Sequence, residues 1–139
     1  MWAWRSSPCP RVVTGNADMK AGAAVPILRS FSEAEARDFY LRYLGFEVVF
    51  EHRFAPDLPL YMSVKRGDCE LHLSEHHGDA APGSAVRIEV ADIEAFHAEI
   101  TERGHKRLRP GIQHQSWGAS EVMLNDPFGN RIIFWQSKD

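Results

Sequence analysis

A pattern of one strand, one helix and about three strands occurs twice in the sequence, and no other feature constrains the fold as strongly. The two predicted helices begin 60 residues apart, at Ser32 and Asp92. The repeated order predicts two βαβββ modules related by an internal duplication. A module of this kind covers one face of its sheet with a helix and leaves the other face to curve around a ligand. We therefore predict an α+β fold in which two curved mixed sheets carry their helices on the outer face.

Both predicted helices have recognisable ends. Ser32, with Glu35 three residues later, is typical of a capping box, and Gly45 is typical of a helix C-terminus. Asp92 is the N-cap candidate of the second helix, which Gly104 ends. We expect each helix to pack on a sheet through one apolar stripe. The stripes comprise Ala36, Phe39, Tyr40, Tyr43 and Leu44 in the first helix and Ile93, Phe96 and Ile100 in the second.

Four strand candidates belong to the first module. The stretch from Ala23 to Arg29 contains Pro26, which cannot donate a ladder hydrogen bond, so we expect an edge strand or an arm. In the last strand of the module, two leucines are predicted to face the core while His72 faces the opposite side. The second, third and last of these four strands run over residues 46–54, 60–65 and 69–75.

The second module begins with a strand over residues 85–91 and ends in the best-specified hairpin of the chain, over residues 115–136. Apolar and polar residues alternate on both sides of a turn at residues 125–130, where Pro fixes φ and Gly and Asn tolerate positive φ. Trp117 stands before Gly118 at the entrance of this hairpin. Since glycine has no side chain to cover the indole, we expect a ring face open for stacking.

The alternating and helical patterns together predict the hydrophobic core, whose side chains should face the two helices. The predicted core comprises Ile27, Leu28, Leu71, Leu73, Val86, Ile88, Val122, Leu124, Ile132 and Phe134.

Length and composition indicate one domain. We assign residues 22–139 to it, with modules at residues 22–77 and 84–137, and residues 1–21 to a disordered or peripheral extension. The net charge of −3 disfavours nucleic acid as a partner, and no apolar run is long enough to cross a membrane. Cys9 and Cys69 lack metal-ligand spacing, so a reduced, cytoplasmic setting is expected.

Three segments carry a family resemblance: AVPIL at residues 24–28, the FY to LGF segment at residues 39–46, and the WG to DPFGN hairpin at residues 117–130. With the two modules around them, they resemble the vicinal oxygen chelate superfamily, which includes glyoxalases, bleomycin resistance proteins and extradiol dioxygenases. The resemblance covers Ala23 to Gln136 and is greatest to the bleomycin resistance proteins. It implies a homodimer with exchanged N-terminal arms, in which Pro26 lies near the crossing.

The resemblance also indicates which positions of the chain would bind a metal ion. In the metal-dependent branch, the ligands come from the inner faces of the first and last strands of each module. Matched by motif, those positions are Val25, His72, Ala85 and Ile133, and only His72 can bind a metal ion. We therefore expect no metal and no cofactor, and a binding protein more than an enzyme. The alternative is a metal-dependent glyoxalase-like lyase or isomerase, or an extradiol dioxygenase, and an atypical site could combine His72 with His76 or His77.

In the bleomycin-binding branch, the drug lies in a groove between subunits with its flat rings stacked on a Trp and a Phe. The matching residues are Trp117 and Phe54. The resemblance thus implies sequestration of a planar antibiotic or metabolite by a homodimer. The inner faces differ from the acidic groove of that branch because Arg29, Arg87 and Arg131 are predicted to lie on them. The predicted ligand-binding residues are Trp117, Phe54, His72, Trp135, Glu121 and Arg87.

Overall fold

Two four-stranded mixed sheets, one from each half of the chain, form the protein, whose computed structural model describes residues 19–137. The predicted extension therefore lies mostly outside the described residues. The first module contains β1 (Ile27–Arg29), α1 (Glu33–Ala36), a π-helical segment (Arg37–Tyr43), β2 (Glu47–His52), β3 (Tyr61–Arg66) and β4 (Cys69–Ser74). The second contains β5 (Ala85–Glu89), α2 (Ile93–Arg103), β6 (Ile112–His114), β7 (Ala119–Asn125) and β8 (Arg131–Ser137).

The strand order confirms the two βαβββ modules. It is β1-β4-β3-β2 in the first sheet and β5-β8-β7-β6 in the second, so corresponding strands occupy corresponding places. In each sheet the first strand pairs in parallel with the last, and the remaining pairs are antiparallel. β1 is an edge strand that begins directly after Pro26, as expected of a residue that lacks a backbone donor.

The first helix differs from the single α-helix that the sequence predicts. The Ser32 hydroxyl accepts a hydrogen bond from the Glu35 amide, which confirms the cap. The α-helix ends at Ala36, however, and a π-helical segment continues to Tyr43. All residues of the predicted stripe are nevertheless buried. A π turn adds only one residue per turn, so a short run of apolar spacings does not distinguish it from an α-helix.

One hydrophobic core contains side chains from both helices and both sheets. The predicted core is confirmed except at two positions: Val86 is half-buried and packs against the core, and Ile27 is 39% exposed because it lies beside His72 on the other face of the sheet. A β-bulge between Val48 and Phe50 also breaks the alternation of β2. Val48 therefore packs against the core while Phe50 lies on the opposite face, beside Ser63.

Hydrogen bonds from the C-terminal turn join the two modules. The buried Asp126 carboxylate accepts from the Tyr40 hydroxyl at 2.6 Å and from the backbone amides of Phe128 and Asn130 at 2.8 Å. The Asn130 side chain donates to the Arg29 carbonyl at the end of β1. In this turn only Gly129 has a positive φ, at 91°, so Asn130 acts through its side chain rather than through its backbone conformation.

An ion network makes a second connection between the modules. Glu99 of α2 accepts hydrogen bonds from Arg66 of β3 and lies 2.5 Å from Arg103 one turn later. Arg66 also donates to the Leu44 carbonyl. The hydrogen bonds from Arg66, followed by the charges of the two arginines, lower the pKa of Glu99. Within residues 19–137, no helix is long and apolar enough to cross a membrane.

Candidate functional site

Trp117 is the most exposed aromatic residue among the predicted site residues. It precedes β7, and 61% of it is accessible to solvent. Gly118 follows it with φ of 97°, and its amide donates to the Gln115 carbonyl. No atom would contact a Cβ at Gly118, so this glycine is required by its backbone conformation and not by lack of space. The resulting turn holds the indole clear of the core.

Three further predicted residues lie beside Trp117 on the inner face of the second sheet. The Arg87 guanidinium carbon lies 5.4 Å from the centre of the Trp117 ring and 5.2 Å from that of Trp135. Arg87 also donates to the Glu121 carboxylate at 2.9 Å. Glu121 is 4% exposed, and its other oxygen accepts from Gln115 at 3.3 Å. We call Trp117, Trp135, Arg87 and Glu121 the indole cluster. It combines flat apolar surfaces with a positioned cation.

The inner face of the first sheet carries a different arrangement, centred on His72. Its Nδ1 is 2.6 Å from the Tyr61 hydroxyl, and its Nε2 is 2.9 Å from a carboxylate oxygen of Glu70. The Ser63 hydroxyl donates to the same oxygen of Glu70 at 2.7 Å. The ring of Phe50 meets the imidazole edge to face, with the two centres 5.5 Å apart. We call His72, Tyr61, Glu70 and Ser63 the histidine network.

Burial and hydrogen bonding shift two ionisations in this network. Desolvation, followed by the charges of Asp79 and Glu70, raises the pKa of Tyr61 to about 12. The hydrogen bonds from Ser63 and then His72 lower the pKa of Glu70. At neutral pH the tyrosine is thus a neutral hydroxyl and the glutamate is an anion. Tyr61 and Ser63 are inaccessible to solvent and His72 is 5% exposed, so the network stabilises this face from within and only Glu70 is partly exposed.

Phe54 lies just beyond the end of β2 and is 52% exposed. Its ring meets that of His52 edge to face, with centres 4.6 Å apart, and that of His76 at 6.4 Å. Phe54 therefore belongs to the first sheet, as His72 does. The structure brings four of the six predicted site residues together in the indole cluster and places the other two on the first sheet.

Some residues at these sites were not predicted from the sequence. Tyr61, Ser63 and Phe50 join His72 only because β3 pairs with both β2 and β4. Glu70 lies two residues before His72 in the same strand, a spacing that places both side chains on one face, so the sequence contains a signal for it. Gln115 reaches Glu121 through the turn before β7, where no periodic pattern indicates which way a side chain points.

A cavity of about 820 Å³ lies between the first half of β4, β5 and α2. Arg87 lines it together with Glu70 and Phe96, whereas Trp117 and Phe54 do not. The cavity is lined along the edge strand β5 from Val86 to Glu89, and the exposed aromatic residues are not part of its lining. We therefore identify the candidate site by the exposed aromatic residues and not by this cavity.

Comparison with known proteins places this geometry in a family. A family model described as a glyoxalase superfamily protein matches residues 13–139. The chain belongs to the glyoxalase superfamily. This confirms the resemblance inferred from its sequence. No curated protein matches the chain.

Solved structures of similar proteins share the fold. A bleomycin-binding protein complexed with bleomycin is 26% identical, with 84% of this chain and 99% of that chain covered and a TM-score of 0.64. A bleomycin resistance determinant encoded on the transposon Tn5 is 23% identical, with 86% and 100% covered and a TM-score of 0.65. A putative glyoxalase family protein from Bacillus anthracis is 22% identical, with 88% and 99% covered and a TM-score of 0.65.

The metal site of the glyoxalase superfamily's metal-dependent branch does not fit the residues of this chain. Of the four motif positions, only His72 has a donor side chain, and both its ring nitrogens are engaged by Tyr61 and Glu70. The strand neighbour of His72 is Ile27, and that of Ile133 is Arg87, so the register brings no further metal ligand. Within residues 19–137, no three His, Cys, Asp or Glu side chains lie close enough to hold an ion, and this includes His76 and His77.

Proposed function

We propose that this protein binds a planar small molecule without a metal and sequesters it, as an antibiotic or a metabolite, in a groove shared by two subunits. The observation that carries the proposal is the exposed indole of Trp117 beside Trp135, Arg87 and Glu121. A large exposed ring beside a buried carboxylate is unusual on a surface that has no partner, and it suits a flat ligand. The solved neighbour described as a bleomycin-binding protein complexed with bleomycin supports this class of function.

The distribution of aromatic residues supports a shared groove. Trp117 lies on the second sheet and Phe54 on the first, while the helices of both modules pack into one core on the other side of the sheets. A second copy related by a twofold axis would bring the first sheet of one subunit against the second sheet of the other. Each groove would then contain one Trp117 and one Phe54, from different chains. A flat ring system would stack between them.

A metal-dependent lyase, isomerase or dioxygenase is less well supported. Such an enzyme needs about three protein ligands around an open coordination position. At the motif positions the chain provides one, and the two ring nitrogens of that histidine are already hydrogen-bonded to Tyr61 and Glu70. The side chains available as metal ligands therefore favour the binding function over metal-dependent catalysis.

The direct test is the substitution Trp117→Ala. We expect it to weaken binding of a flat heteroaromatic compound, for which bleomycin is one probe, by about 1–3 kcal/mol, because a stacking face and its buried area are lost. Isothermal titration calorimetry gives the affinity, and quenching of Trp fluorescence reports contact with the indole. Thermal unfolding should change little since the side chain is exposed.

Phe31→Ala is the matched control, because Phe31 is also an exposed aromatic residue, at 57%, but contacts Phe128 and Arg29 away from the indole cluster. It should leave the affinity unchanged. Equal binding by Trp117→Ala and the parent protein would remove the proposal's main support. A Trp117→Ala variant that unfolds would show that this residue is structural.

A further inference from the structure

Arg87 occupies a position that decides which planar ligands the indole cluster accepts. Its guanidinium lies against two indole rings, and 43% of its side chain remains accessible to solvent. Resting on the function proposed above, we propose that Arg87 makes the groove selective for planar ligands that carry a carboxylate or a similar anionic group. The ligand class is thus an aromatic acid, with its ring against Trp117 and its anionic group on Arg87.

The buried carboxylate of Glu121 serves Arg87 and not the ligand. One oxygen of Glu121 accepts from Arg87 and the other from Gln115, and the residue is almost inaccessible to solvent. A cationic ligand would have to displace one of these donors before it could reach Glu121. The carboxylate instead fixes one end of the guanidinium, which reduces the entropy lost when the arginine holds a ligand.

The remaining donors of Arg87 point to anion binding. Only its Nη1 donates to Glu121. Among residues 19–137, no hydrogen-bond acceptor is found for Nη2 or Nε of Arg87. The guanidinium edge that these two nitrogens form can therefore make a bidentate contact with a carboxylate. Glu89 is an exposed anion beside Trp135 on the same face. The anionic group of a ligand would avoid Glu89. We therefore expect it on the side of Arg87 that faces Trp117.

The test compares three probes of the same shape and different charge: 2-naphthoate, 2-naphthamide and 2-naphthylmethylamine in its ammonium form. We expect the parent protein to bind the carboxylate about tenfold or more tightly than the amide, and the ammonium most weakly, at low ionic strength. The double variant Arg87→Gln/Glu121→Gln removes the guanidinium without leaving a buried unpaired carboxylate, so it should fold. In it the carboxylate and the amide should bind with affinities equal within about twofold.

Arg131→Gln is the matched control, because it removes one positive charge from an exposed position of the same face. It should keep the preference for the carboxylate. Equal affinities in the parent, or a preference that survives in the double variant, would overturn the role of Arg87 while leaving planar binding intact. Failure of all three probes to bind, or binding that is insensitive to Trp117→Ala, would overturn the proposed function and this inference with it.

Discussion

At the residue scale, His72 is held by its neighbours so tightly that its chemistry is restricted. Tyr61 engages one ring nitrogen and Glu70 the other, while Phe50 meets the imidazole edge to face. A histidine that binds a metal offers one nitrogen to the ion and uses the other to fix the ring. Here both nitrogens fix the ring, and His72 is buried, so we interpret it as a residue that holds the inner face of the first sheet in place.

His72→Ala should therefore leave the metal content of the purified protein unchanged and alter its preference among planar ligands. The reason is that the substitution removes the hydrogen bonds that hold Tyr61 and the partly exposed Glu70, and not a coordination site. Inductively coupled plasma mass spectrometry measures the first quantity and calorimetry with a ligand series the second. His114→Ala, at an exposed position of β6, controls for adventitious metal on histidines. Stoichiometric zinc, nickel or iron that is lost only in His72→Ala would instead favour the enzyme.

The sequence predicts the exposure of single residues better than the contacts between them. Trp117 and Gly118 were predicted because a turn residue and an aromatic residue are adjacent in sequence. The contacts of Arg87 with Trp117 and Trp135 depend on β5, β7 and β8 lying side by side, which only the folded sheet determines. The histidine network depends in the same way on the pairing of β3 with β4.

At the element scale, the sequence predicted which helices and strands exist but not their irregularities. Caps at Ser32 and Asp92 are local, and both are present. The π-helical segment and the bulge in β2 depend on residues distant in sequence, because each changes the position at which large side chains pack in the shared core. The bulge has a consequence for the site, since it places Phe50 on the face of the histidine network.

The contact of α2 with β3 gives a prediction that depends on pH. Glu99 has a lowered pKa in the folded protein, so it contributes stability above its ordinary value of 4.5, and this contribution is lost as the pH falls through the lowered value. Glu99→Gln should lower the free energy of unfolding by about 1–2 kcal/mol at pH 7. The difference from the parent should shrink steadily below pH 4.5.

Urea unfolding at several pH values measures this difference. Glu102→Gln is the matched control, because it makes the same change of charge at an exposed position of the same helix. It should cost less than about 0.5 kcal/mol. A Glu99→Gln variant that loses no stability at pH 7, or whose loss is the same at pH 3, would show that the ion network does not hold the modules together.

At the scale of the whole molecule, the two aromatic surfaces lie on different sheets of one chain. The indole cluster lies on the inner face of the second sheet, and Phe54 lies just beyond the end of a strand of the first. A homodimer would complete the groove, because each subunit would supply one of the two ring surfaces. Sedimentation at micromolar concentration should then give twice the chain mass of 15.8 kDa. A monomer under these conditions would require the site to lie within one chain.

Complementation between two inactive variants tests the shared groove most directly. Trp117→Ala and Phe54→Ala homodimers should each bind a planar probe weakly, because every groove lacks one ring. When the two proteins are mixed and allowed to exchange subunits, a mixed dimer has one groove with both rings intact and one with neither. We predict that calorimetry of the 1:1 mixture recovers tight binding at about a quarter of the parental site number. A mixture that binds no better than the two variants measured separately would contradict the account.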